Sequence, residues 1–252
     1  ADAEYVRFYR GHLILGIPVL LGLVGGLLYF VPTLAFLFYI LATMYHVLRQ
    51  QTGIASILAK QKGFVFTVWT ASMIVATSIM LALASVPATF SFLEVRLYSL
   101  VALLAVGVST VAGVLFALKS KTLLGRYYIL ATTLLVGTSY FFALVSYFFF
   151  AVFVIRFVHD VTAFTFYVVH DQNRNASTVH NYFYALLAKI KIPLLIGVPL
   201  ASIIIALVLR LGISGTTVAT AITVLFGFAH YYVEAVMWKR DSLHRQQISF
   251  SG

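Results

Sequence analysis

Cysteine is absent from this chain of 252 residues. That excludes disulfides, thiolate metal sites, cysteine-ligated iron–sulfur clusters and a cysteine nucleophile, although it assigns no compartment. Charge is scarce too. Asp, Glu, Lys and Arg make up 10% of the residues, and only seven are acidic. No Walker or Rossmann glycine pattern follows a strand-like segment, and the HxxHH-type boxes of membrane desaturases are missing. Lys189, Lys191 and Lys239 all fall at segment ends, so no buried lysine offers a Schiff base to retinal.

Apolar residues fill the space that charge leaves. They form 62% of the chain, and the mean hydropathy is +1.01, well above a soluble domain. The expected fold class is an all-α polytopic membrane helix bundle of about eight transmembrane helices, with residues 1–252 as one integral-membrane domain in the lipid bilayer. The formal charge of +10 does not imply nucleic acid, because no soluble basic domain is present to bind it. Ala1 to Glu4 lack the basic-then-apolar order of a signal peptide, and a trimmed or late start is expected.

A span needs about 20 apolar residues. Eight are expected: His12–Val31, Pro32–Leu48, Phe64–Val86, Arg96–Leu118, Tyr127–Val145, Ser146–His170, Ile192–Leu211 and Thr216–Trp238. The fifth and sixth form one long apolar run, and its length alone places a turn near Ser146. Asn181 to Lys191 reads as an interfacial amphipathic helix. With eight spans, Arg7, Arg10, Arg49, Lys60, Lys62, Lys119, Lys121, Arg126, Arg174, Lys189, Lys191, Lys239, Arg240 and Arg245 fall on one side. Arg96 and Arg210 fall on the other. The positive-inside rule makes the basic side cytoplasmic, with both termini there. Asn175-Ala176-Ser177 matches a glycosylation acceptor but falls on that side.

Ionisable residues inside apolar spans are costly and functional by default. His159-Asp160 and His170-Asp171 share one such stretch, and His230 and Glu234 share another at i, i+4. Eleven residues return a helix to within roughly 20° of its start, so His159 and His170 share a face about 16 Å apart along the axis. One ion cannot bind both. Arg156 and Asp160, at i, i+4, pair internally or join a polar path. His46 ends the second span. His46, His170, His230 and Glu234 then supply three imidazoles and one carboxylate, expected to converge in one pocket, with His159 facing the same interior more deeply. That inventory suits ferrous iron, or zinc, with an open position for water or substrate. Asp160, Asp171, Asn173 and His180 are expected to support the ligands from outside the metal's own shell. No catalytic residue is identified. Among the aromatics, Phe142, Phe149, Phe164 and Tyr167 lie in segments dense enough to line a long apolar substrate pocket, or simply pack together.

Three segments resemble the bacterial β-carotene 15,15′-dioxygenase (Brp/Blh) family. They are Ala229-His230-Tyr231-Tyr232-Val233-Glu234 with Trp238-Lys239-Arg240, Phe164 to Arg174 around His170, and Tyr45-His46. Together they cover about a fifth of the chain. Arg174 stands where the family has the second histidine of its His-Ser-x-x-His element, and Gln51 where it has an acid. The resemblance implies a non-haem iron oxygenase in the membrane. The leading expectation is accordingly an oxidoreductase of that kind, a dioxygenase acting on an apolar lipid, isoprenoid or carotenoid. Two rivals remain. One is a non-enzymatic subunit of a larger membrane complex or homo-oligomer, with its polar residues serving contacts or holding haem. The other is a proton or ion carrier using Arg156, His159, Asp160 and Glu234.

Overall fold

A computed structural model describes residues 3–85, 90–175, 182–212 and 216–237. Among them every regular element is helical, and no strand occurs. The elements are α1 (Ala3–Phe8), a π-turn (His12–Gly16) running into α2 (Ile17–Phe30), α3 (Pro32–Leu58), α4 (Phe64–Ser85), α5 (Phe92–Lys119), α6 (Leu123–Leu144), α7 (Phe148–Arg174), α8 (Tyr182–Lys189), α9 (Leu194–Gly212) and α10 (Thr216–Met237). Seven helices are long and apolar enough to cross a membrane among the described residues. The protein is therefore an all-α, multi-pass integral membrane bundle. The expected seventh span, Ile192–Leu211, falls on α9, whose described apolar stretch Leu195–Ile205 is too short to join those seven.

Several helices run past the apolar limits that set their expected bounds, and hydrogen bonds serve part of the polar side chains in the added turns. α3 continues from Leu48 to Leu58. Buried Gln51 accepts a hydrogen bond from Tyr128, and Thr52 and Ser56 donate back to Arg49 and Gly53 carbonyls. α5 begins at Phe92, before Arg96, because Ser91 and Glu94 form a capping box. Thr122 caps α6, so that helix starts at Leu123, ahead of Tyr127. The expected turn near Ser146 is there: α6 ends at Leu144, Ser146 takes the left-handed conformation (φ 63°), and α7 starts at Phe148. α8 falls within the expected interfacial helix, whose first residue, Asn181, is outside the described residues.

The chain divides into two compact units, Ala1–Tyr39 with Thr162–Gly252, and Ile40–Val161. In the second, α4, α5 and α6 pack around Trp69, Met73, Phe116, Ile129 and Val136, all essentially inaccessible. The Trp69 indole donates to Thr133 Oγ1 (3.0 Å), which satisfies its one polar atom in an apolar core. Gly113 makes this approach possible, since a Cβ there would overlap Thr133 and crowd the indole nitrogen. In the first unit, α10 packs on α2 and α8 on α9.

Candidate functional site

In the Ile40–Val161 unit, α3 and α7 bring His46 and His159 together. Their rings are 5.4 Å apart between centroids and meet edge-on at 79°. His159 is buried (3% exposed) and His46 half-buried. His159 Nε2 is 3.9 Å from Asp160 Oδ1, and Arg156 Nε donates to both Asp160 oxygens at 3.3 and 3.2 Å. The i, i+4 pairing of Arg156 with Asp160 read from the spacing is therefore present, on an exposed face of α7.

In the other unit, Glu234 is buried in α10 with His230 one turn earlier, its Nε2 3.8 Å from Glu234 Oε1. The Tyr167 hydroxyl of α7 donates to the same oxygen. A carboxylate inside an apolar helix thus has both a fixed donor and an imidazole at the same oxygen. His230 is half-exposed, so its ring is reachable while its anchor is not.

His170 sits elsewhere in that unit with both ring nitrogens engaged. Nδ1 lies 2.9 Å from Asp171 Oδ1, and Nε2 lies 3.1 Å from the Tyr5 hydroxyl. The carboxylate only accepts, so in the neutral ring Nδ1 carries the proton and Nε2 accepts from Tyr5. Metal ligation by His170 would have to displace Tyr5. Asp171 also accepts from Tyr184 of α8. Burial, then the hydrogen bond and charge of Asp171, push the Tyr184 phenol above its ordinary range. Arg174 donates to Glu4 (2.7 Å) and lies over the Tyr5 ring at 4.5 Å. Arg174 thereby clamps the N-terminal helix to α7.

The remaining expected residues are dispersed. Asn173 is exposed, and His180 lies outside the described residues. Phe142 stacks obliquely on Phe150 at 5.7 Å. Phe149 is 71% exposed and begins a stacked ladder with Phe153 and Phe157. Phe164 is half-buried in the other unit, and Tyr167 serves Glu234.

Sequence reasoning missed the tyrosines as polar partners: Tyr5 on His170, Tyr167 on Glu234, Tyr184 on Asp171 and Tyr232 on His12. One signal was available. Tyr167, His170, Asp171 and Arg174 recur at three- and four-residue spacing, the pattern of one polar helix face. Their distant partners leave no such mark. No protein-family profile, curated protein or solved structure matches the chain.

Proposed function

We propose that the chain is a membrane-embedded non-haem iron oxygenase acting on an apolar lipid, isoprenoid or carotenoid substrate, as its resemblance to the carotene dioxygenase family implies. The observation that carries the reading is Glu234: a buried carboxylate in an apolar helix, oriented by Tyr167 and preceded on the same face by the accessible imidazole of His230. Taken with His46, the ligand expected from the sequence, His230 and Glu234 would offer two imidazoles and one carboxylate, the donor inventory of non-haem Fe(II) oxygenases. His159, beside His46, adds a third imidazole. Neutral imidazoles and one anion suit Fe(II) or zinc and make no demand for thiolate, which the chain lacks. Fe(II) held by these donors would supply the redox chemistry that dioxygen needs.

The protein's own groups have definite tasks in this reading. Tyr167 donates to Glu234 Oε1 and so orients the carboxylate. Asp160 lies beside the His159 ring, where it can set the imidazole's orientation. The apolar surroundings exclude water and favour a substrate that enters from the lipid. The basic flanks read by the positive-inside rule would put the termini and the His-rich ends of the spans on the cytoplasmic side.

Metal analysis tests the proposal. Protein purified anaerobically and given Fe(II) should retain about one equivalent, and His230→Ala and Glu234→Ala should lose it. Oxygen uptake with β-carotene as probe should disappear in the same variants. Wild-type protein that retains no metal overturns the proposal, and a Soret band would indicate haem instead. The exposed Arg156–Asp160 pair favours a second reading, a proton or ion path along α7. In that case Asp160→Asn would abolish pH-driven flux in proteoliposomes while metal content stayed at zero.

A further inference from the structure

The N-terminal segment and α10 line a half-open cavity of about 160 Å³, and neither Glu234, His230 nor Tyr167 is among its lining residues. Its walls are mainly apolar, from Leu13, Ile17, Val233 and Val236, with the ring of Tyr9 beside them. Tyr5 lines it too, and a hydrogen-bonded pair adds a further polar feature. His12 Nδ1 and the Tyr232 hydroxyl are 2.7 Å apart, and both residues line the cavity half-buried.

The backbone is specialised at this point. His12–Gly16 is a π-turn, a form that concentrates at functional sites. It ends at Gly16, and the tip of the Tyr232 ring occupies the space a Cβ would need there. The hydroxyl is therefore held against His12 by a close approach that only glycine permits.

We propose that this cavity binds the ring end of an amphiphile: a six-membered ring bearing a carbonyl or hydroxyl oxygen, with its apolar tail leading into the lipid. The size supports a single ring, since an apolar cavity of roughly 150 Å³ admits benzene. The His12–Tyr232 pair supports the oxygen. With Nδ1 accepting, Tyr232 gives its proton to His12, and its oxygen can accept from a ligand hydroxyl. With Nδ1 protonated, His12 donates to the Tyr232 oxygen, and the phenol proton can reach a ligand carbonyl. A shift of imidazole tautomer thus lets one site receive either oxidation level of the ring oxygen. Two sources share this chemistry, a prenylated benzoquinone or its quinol, and an isoprenoid with an oxygenated alicyclic ring. The inference stands on residues separate from the proposed iron donors, so it survives or fails independently of them.

The test measures ligand retained by protein-loaded nanodiscs in excess of empty ones. The probes are decyl-benzoquinone, its quinol, 4-decylcyclohexanone and oxygen-free decylbenzene. At least one oxygenated probe should saturate at one per chain. Tyr232→Phe should weaken it about tenfold, the effect of one hydrogen bond. His12→Gln checks the same pair should the tyrosine variant not fold. Val233→Phe, which fills the cavity, should abolish retention. Decylbenzene should bind more weakly and be indifferent to Tyr232→Phe. Retention of quinone and quinol alone identifies the benzoquinone source, and of the cyclohexanone alone the alicyclic source. No saturable retention of any oxygenated probe overturns the proposal. So does unchanged affinity in both Tyr232→Phe and His12→Gln.

Discussion

The unit around Trp69 and the unit around His170 are held together by different physics. The first is a dry core of Trp69, Met73, Phe116 and Ile129, with one indole hydrogen bond to Thr133. In the second, Glu4, Tyr5, His170, Asp171, Arg174 and Tyr184 are linked by hydrogen bonds and an ion pair. Packing is non-directional and tolerates no lost volume. A polar network tolerates volume changes but not a lost partner. Rigidity in the membrane thus arises by close packing in one region and by polar pairing in the other, and substitutions should separate the two.

The largest effect is expected in the dry core. Trp69→Ala should destabilise the protein by about 3–5 kcal/mol, by loss of burial and creation of a cavity. Reversible unfolding in mixed micelles would measure it, and a loss below about 1 kcal/mol would show that this core is loosely packed. Gly113→Ala comes next, at about 1–3 kcal/mol, because the added methyl must displace Thr133 or the indole. In the polar unit, Tyr167→Phe should cost about 1–3 kcal/mol by removing a donor from buried Glu234. If Glu234 is a ligand, that variant should also weaken metal retention. Arg174→Ala should cost less, on the order of 1 kcal/mol, since Glu4 remains solvated. Its clearer signature is faster proteolysis near α1, and an unchanged cleavage rate would show that the clamp does not hold the N-terminal helix.

The smallest effect depends on pH. Tyr184 holds its proton more tightly in the folded state than in the unfolded chain. Its contribution is therefore complete below the unfolded value of about 10 and is lost as pH rises beyond it. Tyr184→Phe should flatten the alkaline fall in thermal stability. An identical fall in the variant would place its origin elsewhere.

Hydropathy was enough to read the all-helical class and the turn at Ser146, because span length is imposed by the bilayer and a run from Tyr127 to His170 exceeds one crossing. It misjudged helix ends such as Leu48 and Arg96, where Gln51 and Glu94 look like stops but bond to Tyr128 and Ser91. Spacing gave the local pairs, Arg156 with Asp160 and His230 with Glu234, since i, i+4 neighbours meet on any helix. It could not give Tyr5 on His170 or Glu4 on Arg174, which join residues more than 160 positions apart. Nor could it show that the His170 ring is already occupied on both sides.

The left-handed residue at Ser146 has a consequence for how the chain enters the bilayer. α7 carries Arg156 and Asp160 in mid-helix, and each charged residue at a span's centre opposes insertion by about 2.5–3.5 kcal/mol. α6 carries no such burden after Arg126, and only Val145 to Tyr147 separate the two helices. Ser139 of α6 donates to the Ala151 carbonyl of α7 at 2.6 Å, just across that turn. With a linker so short, the expected outcome is that α6 and α7 enter the bilayer together as a hairpin. Glycosylation mapping of α7 alone against the α6–α7 pair would show it: α7 should insert poorly by itself and efficiently behind α6, and lengthening the linker at Ser146 should uncouple them.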